Sequence, residues 1–541
     1  MGVPRKLSFF AVAASAALLL GACAPAGQEP PAPTQSQAPG ETAAPAPSEP
    51  KTISAQLYQK PNNLDPIHAL HAADQAAAAA NFLPVLTFVD GQYVGRVAKS
   101  WDSPDNQHFT FVLNDVKWSD GTDLTAEDVA FSFLLYLHPD VASNWGSYVS
   151  SIDGAAALKA GEAKELTGVK VIDPKTLEVT LSSPNPNFLA FLTEIAVVPK
   201  SVYGEIAFDK LNGAPEFREP PIGSGAYVFS KWINDDTIEY VPNPHAFFPP
   251  KADKLILKFL TGDVAQAQLQ TGEIDIAEVA STDVQAMADR GVTIVSHPGN
   301  KVMALHTSLP SGKLADKRVR QAIMYAIDRP AIIDSILAGK GRTADSMMFQ
   351  PDWAQHPDQN DYAYNPDRAR ELLAEAKWDA TTEVYLDVVP GQADRDAVFR
   401  IIVGQLQEVG MNAVIRNHQA ADLTNYVNNF ELDLLISPYT QTVPEPAALS
   451  ARLTCAAKIP NGANITGFCN ERVDELFDLG NRETDPAKRA EIYQELNLIL
   501  NDELPNYPLY VADLNFGTSP TITGFDPRVF PPTAIADQWG K

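Results

Sequence analysis

The side chains with ligand or nucleophile chemistry are few and scattered: three cysteines and nine histidines in 541 residues. Cys455 and Cys469 have 13 residues between them, and in an oxidising compartment an even pair at that spacing reads as one disulfide closing a small loop. The rival reading, two metal ligands, lacks a neighbouring CxxC or histidine. His68 and His71 stand three apart, which on a helix would bring both rings to one face, and imidazole is a good nickel ligand, but no third ligand lies near them in sequence. No GxSxG elbow, HExxH or P-loop is present, and the "GSG" at 223–225 lacks phosphate-loop spacing. The expectation is a protein that is not an enzyme, with no catalytic residue, no resident metal and no cofactor.

The third cysteine has a different setting. Arg5 and Lys6 precede an unbroken apolar and small-residue run from Leu7 to Leu20, in the order of a secretory signal, and the run is too short to cross a bilayer comfortably. Leu20-Gly21-Ala22-Cys23 follows, and this tetrad resembles the bacterial lipoprotein box, in which the cysteine thiol is lipidated and becomes the new N-terminus. That resemblance implies a signal peptide over 1–22 and a lipid on Cys23. Residues 24–50 contain eight prolines and no aromatic or branched aliphatic residue, so they cannot bury enough surface to fold and read as a semi-rigid tether. A lipid at one end and a folded body at the other make an anchored extracytoplasmic protein, on the outer face of the cell membrane or in the periplasmic space.

The body from about Lys51 is too long for one core, so two or three subdomains are expected. Acidic residues outnumber basic ones by 67 to 41, a net charge of −26 that repels nucleic acid and anionic lipid. No later segment approaches 18 consecutive apolar residues.

The elements that must position any site alternate between strand and helix. "HFTFVLND" sets Phe109, Phe111 and Leu113 against His108, Thr110 and Val112; "TLEVTL" lines up Leu177, Val179 and Leu181; "KLILKFL" lines up Leu255, Leu257 and Phe259. Among helices, "LTAEDVAFSFLLYL" opens with Thr125 and Asp128 at capping-box spacing and puts Val129, Phe133 and Tyr136 on one face. "DKRVRQAIMYAIDR" buries Val319, Ala322, Ile323, Ala326 and Ile327 and exposes Arg318, Arg320 and Gln321. "NPDRARELLAEAKW" presents Leu372, Leu373 and Ala376, and "DPAKRAEIYQELNLILNDELP" presents Tyr493, Leu496 and Leu500. This mixture predicts α/β lobes rather than a sandwich or a bundle.

Nine segments, taken in order, carry a family resemblance: "NNLDP" (62–66), "GQYVGRVAKSWD" (91–102), "VKWSDGTDLTAEDVAFSF" (116–133), "PPIGSGAYVF" (220–229), "LQTGEIDIA" (269–277), "DKRVRQAIMYAIDR" (316–329), "YNPDRARELLAEAKW" (364–378), "LQEVGMNAVI" (406–415) and "RAEIYQELNLILNDELPNYPLY" (489–510). Together they resemble the solute-binding proteins of peptide, nickel and opine ABC importers, family 5. The resemblance implies an α/β, two-lobed, periplasmic-binding-protein-like (type II) fold with an extra domain inserted in the first lobe. The first lobe would be 51–92, 222–300 and 511–541, the insertion 93–221 and the second lobe 301–510. It also implies a monomer that closes on its solute by hinge motion and hands it to ABC permease subunits.

On the same resemblance the solute lies between the lobes, near His71 and Asp74, near Ser224, and along "SPYTQTVPEPAAL" (437–449), where Tyr439 and Thr440 would supply an aromatic wall and hydroxyl groups. Peptide binders of the family carry an aspartate three residues before an acidic-Pro pair, and it holds the peptide's α-ammonium group. Here the pair is Glu445-Pro446 and the earlier position is Thr442, so no carboxylate stands where the amine would be caught. Glu445 is then the expected substitute anchor, and the Cys455 and Cys469 pair resembles the disulfide loop of dipeptide binders. Di- or oligopeptides are the expected solute. The alternatives are nickel or another non-peptide solute in the same kind of receptor, a cell-surface enzyme, or an adhesin with a degenerate cleft.

Overall fold

The computed structural model describes residues 50–541, apart from Leu70, Asp90, Pro220, Asn234, Asp235, Gly391, Gln392, Thr442, Val443, Pro444, Pro460 and Asn461, and apart from the side chains at Ala393, Asp394, Ala420 and Ala421. The leader, Cys23, the proline-rich tether and Thr442 lie outside the described residues.

Two large mixed sheets organise the chain. The first has seven strands in the order Thr293–His297, Leu514–Thr518, Ile276–Glu278, Thr52–Leu57, Lys254–Phe259, Thr237–Pro242 and Tyr227–Ile233. Its central strand pairs in parallel with Lys254–Phe259, Thr52 opposite Lys254 through Leu57 opposite Phe259, so Ile53, Ala55, Leu255 and Leu257 enter one core with Tyr227, Tyr240 and Trp539. The second has six strands in the order Gly341–Thr343, Asn506–Ala512, Lys301–His306, Leu434–Thr440, Glu383–Val388 and Asn412–Asn417. Its parallel pair, Glu383–Val388 and Asn412–Asn417, is connected through the helix Ala393–Glu408.

Only two short links join these sheets: His297 to Lys301, and Ala512 to Leu514. They pass so close that a Cβ on Gly299 would sit 2.1 Å from the Ala512 carbonyl oxygen, which is why glycine stands there. Strand Asn506–Ala512 belongs to the second sheet throughout its length, and the chain changes sheets at Asp513.

A third, four-stranded sheet runs in the order Ala98–Asp102, His108–Leu113, Thr176–Thr180 and Val169–Asp173. Its middle strand alternates as the sequence predicts, with Phe109, Phe111 and Leu113 buried. The helix Ala126–Leu137 packs here, started by a capping box in which the Asp128 carboxylate accepts the Thr125 backbone N–H at 2.8 Å. Val129, Phe133 and Tyr136 are buried below it, each contributing about 1.5–3 kcal/mol by leaving water.

Gly223 and Gly225 behave as their motif predicts, because a Cβ on either would strike the backbone of Asn81 or Ala80 within 2.1–2.6 Å. One helix face differs from expectation. Arg320 is buried rather than exposed, since its guanidinium donates to the carbonyls of Leu314, Ala315 and Glu503 and meets the Glu503 carboxylate at 3.1 Å. Arg318 pairs with Asp316, Arg320 with Glu503 and Arg329 with Asp345.

Candidate binding cleft

A cavity of ≈ 500 Å³ lies where the sheets, the four-stranded domain and both links converge. The links supply His297, Pro298, Asn300 and Leu514, the second-sheet side supplies Gln350 and Gln441, and the four-stranded domain and its flanks supply Tyr93, Trp145, Thr193 and Glu194. Phe82, Phe88 and Phe530 add aromatic surface, and Pro66, Pro84 and Pro531 add rigid apolar surface. A mostly apolar wall with a small set of convergent polar groups is the composition of a small-ligand site.

The polar groups are mainly acceptors. Gln441 is buried at the end of strand Leu434–Thr440; its backbone N–H donates to Asn300 O at 2.8 Å and its Nε2 to Gln350 O at 3.0 Å. That second bond fixes the amide orientation and leaves Oε1 buried without a partner among the described residues. Gln75 Oε1, on the helix Ala72–Ala79, is likewise buried and unpartnered. Glu194 sits in the apolar run after Phe188–Phe191, pinned by Ile195 O accepting from Val85 N at 3.0 Å. Burial alone pushes the Glu194 carboxyl up to about 8, with no neighbouring charge acting on it. The basic side chains in the wall are engaged: Arg528 pairs with Asp526 at 2.6 Å, and His297 Nδ1 lies 2.7 Å from Pro298 O.

The described residues expected from sequence sit around this cavity rather than in its wall. His71 is an exposed N-cap, and the buried Asp74 carboxylate is occupied by Asn62 N at 2.7 Å and His71 N at 3.3 Å. Ser224 Oγ accepts from Leu83 N at 3.2 Å. Tyr439 is buried under the Arg452 guanidinium, 4.8 Å from its ring centroid, and burial pushes its hydroxyl up to about 12. Thr440 is half-buried opposite Lys301. Glu445 Oε2 is 2.7 Å from Arg489 Nη2; burial raises its carboxyl and the guanidinium opposes the rise. The wall instead takes the neighbours Gln75 and Gln441. Glu194 escaped the sequence reading; its signal is a lone acid in "FLAFLTEIAVV", with the nearest basic residue at Lys200.

His68 does not face outward as a ligand: its Nδ1 lies 2.5 Å from Asp65 Oδ2 and its Nε2 2.7 Å from Val141 O. Cys455 and Cys469 form a disulfide.

Two sheet-based lobes linked twice and enclosing one cavity define a two-lobed binding protein of type II. The solved Listeria monocytogenes ABC transporter substrate-binding protein CtaP has this fold, with a TM-score of 0.80 at 21% identity, covering 90% of this chain and 99% of that one. The Bacillus subtilis oligopeptide-binding protein AppA, solved with a nonapeptide, gives 0.75 at 20% identity over 91% and 99%. In sequence, the Escherichia coli dipeptide-binding protein is 26% identical over 436 residues, 76% of this chain and 80% of its own length. A Brucella ovis protein named for peptide binding in an ABC transporter is 29% identical over 447 residues, 80% and 82% of the two chains. The family model "Bacterial extracellular solute-binding proteins, family 5 Middle" matches residues 92–460. The chain belongs to the family 5 extracellular solute-binding proteins.

Proposed function

We propose that this chain is the receptor of an ABC importer that captures short peptides, is held to the membrane by a lipid on Cys23, and delivers its solute to the permease. The observation that carries the reading is the ≈ 500 Å³ cavity, walled by aromatic and proline side chains and set with amide groups that match a peptide backbone. The names of the relatives point the same way. In this reading the lobes rock about Pro298–Asn300 and Asp513 and exclude water from the bound solute. The first lobe is 51–92, 222–300 and 513–541, with 93–221 inserted in it, and the second is 301–512, two residues longer than the 301–510 expected from sequence because Val511 and Ala512 pair in the second sheet. The receptor works as a monomer without catalysis.

The test is native mass spectrometry of protein purified without denaturation, identifying the small molecule released on unfolding. A ladder of short peptides supports the reading; a metal complex, a sugar or a single non-peptide amine sinks it. A Cys23→Ala variant, expressed in the host, is expected to leave the membrane fraction, and retention there would remove the lipid anchor from the proposal.

A further inference from the structure

We propose that Glu194 anchors a positively charged group of the solute, with the side-chain carbonyls of Gln441 and Gln75 accepting its remaining N–H donors. The inference rests on the cavity being the solute site, and it names the solute chemistry that this chain selects.

Three observations converge on it. The Glu194 carboxyl has no ion-pair or hydrogen-bond partner among the described residues, although it lies in a wall that is otherwise largely apolar. Gln441 Oε1 and Gln75 Oε1, in the same wall, are buried acceptors with nothing to accept, and the Gln441 amide is held in that orientation by Gln350 O. Buried acceptors are left unmatched at an energetic penalty, so a site with several of them is built for a ligand that brings donors. The wall offers no uncommitted cation to hold a solute carboxylate beside them, because Arg528 is paired with Asp526. An ammonium or guanidinium group brings the donors that these acceptors lack, and the aromatic side chains Trp145, Tyr93 and Phe88 in the same wall favour a cation further. The carboxylate that the family motif would place at position 442 is replaced, in this reading, by Glu194, from a different segment of the chain.

The cation could be a peptide's α-ammonium or a basic side chain, and titration calorimetry on the full protein separates them. The probes are Ala-Ala-Ala, acetyl-Ala-Ala-Ala, acetyl-Ala-Lys-Ala and putrescine, each with the wild type, Glu194→Gln and Gln441→Leu. Wild type is expected to bind at least one of the cations on the order of 30-fold more tightly than acetyl-Ala-Ala-Ala. Preference for free Ala-Ala-Ala marks the α-ammonium, and preference for acetyl-Ala-Lys-Ala marks a side chain. Glu194→Gln, which keeps the shape and removes the ionisable carboxyl, is expected to abolish the preference; Gln441→Leu is expected to weaken the preferred ligand about tenfold with the preference retained. Equal binding of acetyl-Ala-Ala-Ala, an unchanged preference in Glu194→Gln, or no binding of any cation overturns the inference. Glu194-dependent binding of putrescine with no binding of peptides supports the anchor while removing the peptide reading.

Discussion

Arg489 Nη2 lies 2.7 Å from Glu445 Oε2, and the same nitrogen reaches Asn187 Oδ1 at 2.5 Å, so one guanidinium joins a helix on the second sheet to the four-stranded domain. Both charged side chains are nearly out of water, and Arg489 also lies over the rings of Trp353 and Tyr493. A carboxylate held in this way is already neutralised, which makes Glu445 a structural residue in our reading.

Arg489→Ala is therefore expected to destabilise the protein by about 3–5 kcal/mol, because it strands the Glu445 carboxylate in a buried place. Glu445→Gln keeps a hydrogen bond to Arg489 and is expected to cost less, with solute affinity changed by no more than about threefold. Denaturant unfolding and calorimetric titration check both values. A large loss of affinity with intact stability in Glu445→Gln would return that residue to the binding site.

Asn187 is the joint between the two halves of the cleft. Besides accepting from Arg489, its Nδ2 donates to Asn481 Oδ1 at 3.1 Å, and Asn481 also accepts from the Tyr493 hydroxyl at 3.0 Å. These bonds exist only while the four-stranded domain and the second lobe are in contact, so they weigh on closure rather than on the cores. Asn187→Ala is expected to weaken solute binding by roughly 5–10-fold through a shift toward open molecules. Small-angle scattering without solute should show a larger radius of gyration in the variant, and an unchanged radius would count against the joint.

What could be read in the sequence was local. The Thr125/Asp128 capping box, the buried alternation of Phe109, Phe111 and Leu113, and the glycines that let residues 223–225 meet Asn81 are all specified within a few residues of where they act. Arg320 was misread because its partner, Glu503, is 183 positions away, and a helix face predicts exposure only when nothing distant caps it. Two residues expected from sequence stand beside ones that line the cavity: Asp74 caps its own helix while Gln75 lines the cavity, and Tyr439 faces a core while Gln441 lines the cleft. Glu194 could not be placed by motif, because what marks it is a carboxyl that the fold leaves without a partner among the described residues.

The disulfide is a separate source of stability. Cys455 and Cys469 close a loop whose Phe468 packs, with Leu453 just ahead of it, against Val473, Leu476 and Phe477, in a core that shares no residue with the cavity wall. Replacing both cysteines by serine is expected to lower unfolding free energy by about 3 kcal/mol under the chain-entropy model. Solute affinity should stay within about twofold, since no residue of the loop lines the cavity. A larger affinity change would mean that the loop feeds into the cleft.

Glu194 gives the protein a pH dependence whose sign follows from its burial. In the unfolded chain its carboxyl ionises near its ordinary value, whereas burial holds it protonated in the fold up to about 8. Between those values the folded state carries the extra proton, so stability contributed by the neutral group is present at low pH and is lost as pH rises to about 8, after which the loss is constant. The facing groups do not cancel this. Tyr136, behind it, donates its hydroxyl to Ala196 O and remains neutral, Arg528 across the cavity is paired with Asp526, and His297 is bonded to Pro298 O. Glu194→Gln should match wild type near pH 4.5 and exceed it by on the order of 2–4 kcal/mol at pH 8 and above. A cationic solute that ionises Glu194 at pH 7 must also expel its proton, so affinity should rise with pH up to about 8 in wild type and stay level in the variant. Melting curves and titrations in buffers of different ionisation enthalpy read both effects, and parallel pH profiles for the two proteins would show that Glu194 neither resists ionisation nor meets a charge.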